Sequence, residues 1–497
     1  MTDIQLPVLD RTLRPLAKAP VRIVHIGLGA FHRSHQAWYT HHSSDAADWG
    51  IAAFTGRRPD AAVALAAQDG LFTLVERSGA GDSFEVIGSI VEAADGADVG
   101  RLCELVSAPR TAVVTLTITE AAYGLAPDGS FDAGSPGIAR DLAVLSRLTV
   151  PAAGAAGSGG AVAPAPGAPT TPLSRLVLAL AARRDAGSGP LAVVSCDNLP
   201  GNGDVARRAV AGMAEAWDGE VAAWITENVS FVSTSVDRIT PRTTEADVAE
   251  VEERCGYRDS SPVVAEPFRD WVLSGEFPAG RPRWEDAGAV VVGDIEPYEN
   301  RKLWLLNGAH SLLAYAGQLR GHATVAAALE DPFCRDAVEA FWDEASAHLH
   351  GKDLHIPEYR EALRGRFGNT RIAHHLSQIA ADGTTKLRLR ALPVLAAERS
   401  QGRSGAGSAL MLAAWIDYVG QEDSPQDPLS SAIRTANGSA GPERVATLLS
   451  LVSPHLPDDP QIVSLVASLC GTCAAEPGTK ATTSATSAPH LIPGRNS

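Results

Sequence analysis

Lys302, Asn307 and His310 stand in an otherwise apolar stretch, Glu299-Asn-Arg-Lys-Leu-Trp-Leu-Leu-Asn-Gly-Ala-His-Ser-Leu-Leu-Ala-Tyr315. Leu303, Leu306, Leu313 and Ala314 recur at helical spacing, so the segment reads as a buried helix with a polar stripe. At about 100° per residue, His310 lies about 80° and Asn307 about 140° around the axis from Lys302, and all three can face one cavity. An amine, an amide and an imidazole in a dry pocket are the parts needed to take a proton from an alcohol and stabilise the oxyanion that results. A core helix whose polar groups are satisfied locally has the same pattern.

The elements that would position this helix begin near the N-terminus. Val21-Arg-Ile-Val-His-Ile26 reads as a short buried strand running into Gly27-Leu-Gly-Ala-Phe-His-Arg-Ser-His-Gln36. A strand, then glycines, then a helix lets backbone approach a pyrophosphate at a helix N-terminus. His32 stands where the third glycine of that motif would be, so a plain strand-to-helix turn fits as well. The second strand, Trp49-Gly-Ile-Ala-Ala-Phe-Thr55, ends at Gly56-Arg-Arg58 and not at an acidic residue. Its arginines suit stacking on adenine, meeting a 2′-phosphate, or a solvated loop, and NAD is not separated from NADP.

Leu71–Glu76 and Ser83–Gly88 alternate like a hairpin, and Arg110–Thr119 has the β-branched character of a buried parallel strand. Its end, Thr119-Glu-Ala-Ala-Tyr123, falls where the carboxyl end of a strand meets a cofactor. Gly189–Ser195 is a further strand, followed by Cys196-Asp-Asn-Leu-Pro-Gly-Asn-Gly203, in which Asn198 is placed to hold an oxygen and Asn202 reads as an ordinary turn residue. Val229–Ser235 repeats the pattern and leads to Asp237, a binding or a capping residue. From about residue 295 the strand signal gives way to helical periods at 302–319, 324–329, 332–349, 356–366, 372–381, 408–419 and 442–451. The fold expected is α/β: a Rossmann-type dinucleotide-binding domain over 1–290, a largely helical substrate domain over 291–475, and the site between them. Residues 151–172, nearly all Ala, Gly, Pro, Ser and Thr, read as a flexible insertion, and 476–497 as a disordered tail.

A formal charge of −16 argues against nucleic acid or an anionic membrane as partner, since both need a basic face. Six scattered cysteines suit a reducing compartment, and with no basic leader or long apolar run the expectation is a soluble cytoplasmic protein. Cys470-Gly-Thr-Cys473 has metal spacing but no second Cys/His pair, so no metal site is expected. The metallohydrolase, Walker A and nucleophile-elbow sequences are absent. In the turn Asp382-Gly-Thr-Thr-Lys386, Lys386 is presented with Arg388 and Arg390 behind it, to greet a carboxylate or phosphate or simply to be solvated.

Taken together, Gly27-x-Gly-x-Phe-His-Arg-x-His-Gln36, Thr117-Ile-Thr-Glu120, Ser195-Cys-Asp-Asn-Leu-Pro200, Val236-Asp-Arg-Ile-Thr-Pro241 and Lys302-x-x-x-Leu-Asn-Gly-x-His-Ser311 resemble the mannitol dehydrogenase family of polyol-specific long-chain dehydrogenases. The resemblance spans roughly residues 20 to 470. It implies an NAD(P)-dependent oxidoreductase without a catalytic metal, working as a monomer or homodimer. In matching positions it implies Lys302 as general acid and base, Asn198 and Asn307 as the pair that holds the reacting oxygen, and His310 as an orienting, substrate-binding residue. Glu299 resembles the family's carboxylate beside the lysine, a proton route, and Asp237 a substrate-side residue. Gly27, Gly29, Ala30, Phe31, Arg33, Thr119 and Glu120 are expected along the cofactor. The expected reaction passes a hydride between a linear polyol and its ketose, mannitol and fructose being the type pair. The mannonate and fructuronate version would need Lys386 or Arg371 for a carboxylate, and the mannitol 1-phosphate version a denser cationic cluster. A dinucleotide-binding protein without turnover is the reading from another class. Arg301, Trp304, Ala121-Ala122 and Arg388 depart from the family's usual residues, which bears on substrate choice.

Overall fold

A computed structural model describes residues 6–147, 167–372, 374–422 and 425–474. Most of the expected insertion at 151–172, and all of the expected tail at 476–497, lie outside the described residues. The chain forms two compact units, one made of Met1–Lys302 with Leu349–Ile372, the other of Leu303–His348 with Ala373–Ser497.

The first unit is built on strands β1 (Val21–Ile26), β2 (Gly50–Phe54), β3 (Phe72–Ser78), β4 (Gly81–Ile87), β5 (Ile90–Ala94), β6 (Val113–Leu116), β7 (Leu191–Ser195), β8 (Val229–Asp237), β9 (Val263–Ala265), β10 (Asp270–Ser274) and β11 (Val290–Val292). The main sheet runs β11-β10-β8-β7-β6-β1-β2-β5, and the six strands from β8 to β5 are mutually parallel. That is the strand order of a doubly wound dinucleotide-binding fold, with its switch point between β1 and β6. Strand β10 joins antiparallel to β8, and the β3/β4 hairpin pairs with β9 in a separate three-stranded sheet.

Successive strand residues point to opposite faces, so a strand covered on both sides must be apolar at every position. Val193 packs in one core with the helices Val99–Ser107, Pro172–Asp185 and Asn202–Trp217, whereas its neighbours Ala192 and Val194 pack in the other with Trp38, Tyr39 and Trp271. Val113 and Val114 divide in the same way. The unbroken Val/Ile/Ala runs are thereby explained.

The strand expected over Arg110–Thr119 is cut to Val113–Leu116, because the N–H groups of Ile118 and Thr119 turn to the Asp197 carboxylate at 3.1 and 2.9 Å. Strand β8 runs on to Asp237, which pairs with Asp270 on β10 and so does not cap a helix. Asn202 is more than a turn residue. Its buried amide donates to the carbonyls of Asp197 at 2.8 Å and Thr234 at 2.7 Å and accepts from the Thr234 N–H at 2.8 Å.

The second unit is helical, with Ala309–Leu319, Pro332–Ala347 and the largely buried Ala406–Gln421 at its centre. Gly308 and Gly407 permit this packing: a Cβ on Gly308 would lie 2.5 Å from the Phe341 ring, and one on Gly407 2.9 Å from the Phe341 backbone. The helix expected over 372–381 shrinks to Leu376–Ile379, since Val325 N–H binds the His374 carbonyl and Leu376 N–H the Ala323 carbonyl. Asp382, at φ 56°, starts the helix Gly383–Arg390, so Lys386 sits on a helix and not in a turn. Asn202→Ala would strand the Thr234 N–H and two carbonyls in the interior. A loss of about 3 kcal/mol is expected, read as a lower denaturant midpoint in urea unfolding.

Candidate active site

The turn after β1 is dictated by sterics. Gly27 sits at φ +113°, and a Cβ there would fall 2.1 Å from the Thr117 carbonyl oxygen. Gly27 and Leu28 donate their N–H groups to the Phe54 carbonyl at 2.9 and 2.8 Å, which ties the turn to the end of β2. Gly29 precedes the short helix Ala30–Ser34, has no side-chain cap, and would meet nothing closer than 3.6 Å with a Cβ. Its outer face is therefore open for a phosphate to approach backbone closely, and the turn fits a dinucleotide.

The third glycine of a doubly wound turn normally lets helix and strand approach closely. Here His32 does this with a flat ring, stacked at 3.3 Å and 7° on His25 of β1. His25 is bonded to Thr115 Oγ1 at 2.9 Å and Thr117 Oγ1 at 3.2 Å. Burial drives the pKa of His25 down to about 3 and that of His32 well below its usual value, so both rings are neutral. Of the other expected cofactor residues, Ala30 and Phe31 are half-buried, and Thr119 and Glu120 are exposed at the end of β6, Thr119 at φ 73°. Arg33 points inward, to the Ser261 carbonyl and hydroxyl, and braces the turn from behind.

Within the same unit, Lys302 Nζ donates to Asn198 Oδ1 at 2.5 Å and to the Val236 carbonyl at 2.8 Å. Asn198 follows β7 and Val236 is the penultimate residue of β8, so two adjacent strand ends hold the ammonium. Burial lowers the lysine pKa; Asp237, Asp270 and Glu299 pull it back up, and Arg366 pushes it further down. Glu299 accepts the Gly201 N–H at 2.9 Å, and burial raises its pKa. Asp237 is gripped by Arg366 at 2.6 and 2.8 Å; burial would raise its pKa, but the guanidinium holds it below the usual range. Arg366 also reaches Glu266 at 2.7 Å, and Arg301 reaches Asp270 at 2.6 Å. The buried Tyr359 ring lies 4.2 Å from the Arg301 guanidinium.

Sequence reading missed Arg366, Tyr359, Glu266 and Asp270. The available signal was Arg366 lying seven residues after Tyr359 in Ile356–Phe367, a charge on the same face as the buried Tyr359 and Leu363. Arg371 is instead 45% exposed in its side chain and pairs with Asp82 at 3.0 Å.

Beyond Lys302 the helix is not a regular α-helix: Glu296–Arg301 passes into a π-helical turn, Lys302–Gly308, before Ala309–Leu319. Each π bond spans five residues, so the α spacing used to place Asn307 relative to Lys302 does not hold along this segment. In the second unit the displaced carbonyls are met by side chains. Trp342 Nε1 donates to Leu305 at 2.7 Å, and Arg390 donates to Asn307 at 3.1 Å and to Ser311 Oγ at 2.9 Å. His310 is buried, edge-on to His374 at 4.8 Å. Lys386 donates to the Ile379 carbonyl at 3.0 Å, and Arg388 to Val452 at 2.9 Å. Among the described residues no group of three or more His, Cys, Asp or Glu side chains is placed to hold a metal ion, and no helix is long and apolar enough to cross a membrane.

The family model of the mannitol dehydrogenase Rossmann domain matches residues 21–286, and that of the mannitol dehydrogenase C-terminal domain residues 294–471. YeiQ of Escherichia coli (strain K12), an uncharacterized oxidoreductase, is 37% identical over 466 residues, 90% of each chain. D-mannonate oxidoreductase of the same strain is 36% identical over 487 residues, 94% of this chain and 95% of that one. The structure of Pseudomonas fluorescens mannitol 2-dehydrogenase in ternary complex with NAD and D-mannitol matches with a TM-score of 0.72 at 32% identity, over 94% of this chain and 96% of that chain. The chain belongs to the mannitol dehydrogenase family and is an oxidoreductase of that family.

Burial lifts the pKa of Glu266 to about 7, with Arg366 opposing, against an ordinary 4.5. Between those values the native state binds more protons than the unfolded chain, so stability from this group falls as pH rises through the window. The loss is about 3 kcal/mol. Glu266→Gln is expected to flatten the pH dependence of thermal stability between about pH 4.5 and 7, measured by scanning calorimetry across that range.

Proposed function

We propose that this chain is an NAD(P)-dependent, metal-independent dehydrogenase that interconverts a secondary alcohol of a linear polyol and the matching ketose, with Lys302 as general acid and base. The observation that carries this reading is Lys302 Nζ, held 2.5 Å from Asn198 Oδ1 and 2.8 Å from the Val236 carbonyl where burial weakens its hold on a proton. In oxidation the neutral amine takes the hydroxyl proton. Because Asn198 turns its Oδ1 to the lysine, its Nδ2 hydrogens are left to donate to the reacting oxygen. Asn307, further along the segment, is the second amide donor, and His310 orients the substrate. Glu299 carries the proton away from Lys302, and Asp237 lies on the substrate side. When bound, the nicotinamide supplies the hydride acceptor or donor.

The dinucleotide runs past Gly27, Gly29, Ala30, Phe31, Thr119 and Glu120, with Arg33 as the inner brace. We assign residues 1–290 to cofactor binding and 291–475 to the substrate domain, and take the protein to be a cytoplasmic monomer or homodimer. NAD is the cofactor favoured, on the NAD-bound relative; the exposed Arg57 and Arg58 after β2 keep NADP in the test. A second reading, a sugar acid such as mannonate, is supported by the 36% identity to D-mannonate oxidoreductase. In that reading Lys386, half-buried and donating to the Ile379 carbonyl, is the cation that would meet the carboxylate.

The test is NADH and NADPH oxidation by the purified protein with fructose, fructuronate and fructose 6-phosphate in parallel. Turnover of fructose well above the others is expected, and preference for fructuronate would move the substrate to the second reading. Asn198→Ala and Asn307→Ala should each lower kcat by about 10² to 10³, and Lys302→Ala by up to about 10⁴. No turnover of any ketone with either cofactor, or an unaffected Lys302→Ala enzyme, would overturn the proposal and bring forward a dinucleotide-binding protein without turnover.

A further inference from the structure

Ile356–Phe367 belongs to the same unit as Lys302 although it lies within the span matched by the C-terminal family model. Its inward Arg366 has a side chain only 3% exposed. One guanidinium grips two carboxylates: both nitrogens of the fork bind Asp237, and one also binds Glu266. The second carboxylate is anchored in turn, since Glu266 Oε1 accepts the Ile239 N–H at 2.5 Å and the Glu266 carbonyl accepts Arg238 Nε at 2.9 Å. Asp237 directly follows Val236, whose carbonyl holds the Lys302 ammonium. The same strand end therefore offers Lys302 a fixed neutral acceptor and, one residue on, a carboxylate already taken by another cation.

Resting on the reading of Lys302 as acid and base, we propose that Arg366 is a positioning residue: by clamping Asp237 and Glu266 together it withholds the Asp237 charge from Lys302 and so sets the proton-accepting strength of the lysine. Three contacts from one planar fork need an arginine; an ammonium does not have that geometry. Among the described residues, the charged and titratable groups acting on Lys302 come from several elements. They are Asp237 on β8, Asp270 on β10, Glu299 on Glu296–Arg301, Arg366 on Ile356–Phe367, and the neutral His35 after Ala30–Ser34. Asp270 is paired with Arg301, Glu299 with the Gly201 N–H, and Asp237 with Arg366; of these partners Arg366 is the cation that also acts on Lys302, so the Asp237–Arg366 pair is the adjustable one.

The direction follows from charge. Removing Arg366 deletes a repelling cation and frees Asp237 to attract the ammonium, and both favour protonated Lys302. Removing the Asp237 charge does the opposite. For alcohol oxidation, which needs the neutral amine, Arg366→Gln should move the rising limb of the kcat profile up by about one pH unit. Asp237→Asn should move it down. The double variant Arg366→Gln/Asp237→Asn, which removes both charges, should return the limb to a pH close to the parent's whatever its absolute kcat, and Arg366→Lys should place it between parent and Arg366→Gln. If Arg366→Gln does not fold, the double variant and Arg366→Lys carry the comparison.

A readout independent of turnover is available because the chain has five lysines, at positions 18, 302, 352, 386 and 480. After reductive ¹³C-methylation, the Lys302 resonance, assigned by its absence from Lys302→Ala, can be titrated in each folded variant. Opposite shifts for the single variants and cancellation in the double variant are expected. Coincident titrations, or shifts of one sign, overturn the positioning role while a dead Lys302→Ala enzyme leaves the acid and base assignment standing. A fully active Lys302→Ala enzyme overturns both.

Discussion

A lysine that must give up its proton near neutral pH has to sit where water is scarce, yet carboxylates placed to satisfy a buried ammonium would defeat the purpose by stabilising its charge. On the proposed acid and base role of Lys302, the first unit meets this constraint with neutral acceptors. Lys302 binds an amide oxygen and a peptide carbonyl, while the carboxylates around it are committed elsewhere: Asp237 and Glu266 to Arg366, Asp270 to Arg301, and Glu299 to a backbone N–H. The Arg366 pairings satisfy buried carboxylates that would otherwise cost several kcal/mol. They also keep those charges from Lys302. On the proposed role of Lys302, the cluster serves stability and tuning at once.

The π-turn at Lys302–Gly308 follows from a similar trade. Inserting an extra residue into the hydrogen-bond ladder releases carbonyls that a buried helix cannot leave unmatched. The donors come from bulky side chains set at a distance in sequence, Trp342 for Leu305 and Arg390 for Asn307. Gly308 then admits the Phe341 ring where any Cβ would collide. The second unit is therefore built around the irregularity, which is what lets a strained register persist in the middle of a helix.

Much of this was legible in the residues alone, and the boundary is physical. Periodicity located β1, the hairpin of β3 and β4, and the long helices, because unbroken Val/Ile/Ala runs and helical apolar stripes report burial directly. Periodicity makes β6 too long because the signal for Thr117–Thr119 leaving the sheet is a carboxylate, Asp197, distant in sequence. The π-turn was invisible for the same reason, its donors lying at Trp342 and Arg390. Lys302, Asn198 and Asn307 are conspicuous in the sequence because each stands out against an apolar run or follows one. Arg366 is not, since an arginine on a helix rich in charge looks solvated until its partners, Asp237 and Glu266, are known.

The topology explains why the chemistry collects where it does. In a parallel sheet every strand ends at the same edge, and backbone leaving that edge has no ladder partner. Gly27 leaves β1, Thr117 leaves β6, Asp197 and Asn198 leave β7, and Asp237 closes β8. The freed N–H and C=O groups must be satisfied locally, and polar side chains there cost less than they would inside the sheet. Asp197 serves the N–H groups after β6, Asn202 binds the ends of β7 and β8 together, and the Val236 carbonyl meets Lys302. The same unsatisfied edge that demands polar side chains for folding thus supplies polar side chains for the site, and the apolar positions a few residues upstream hold them still.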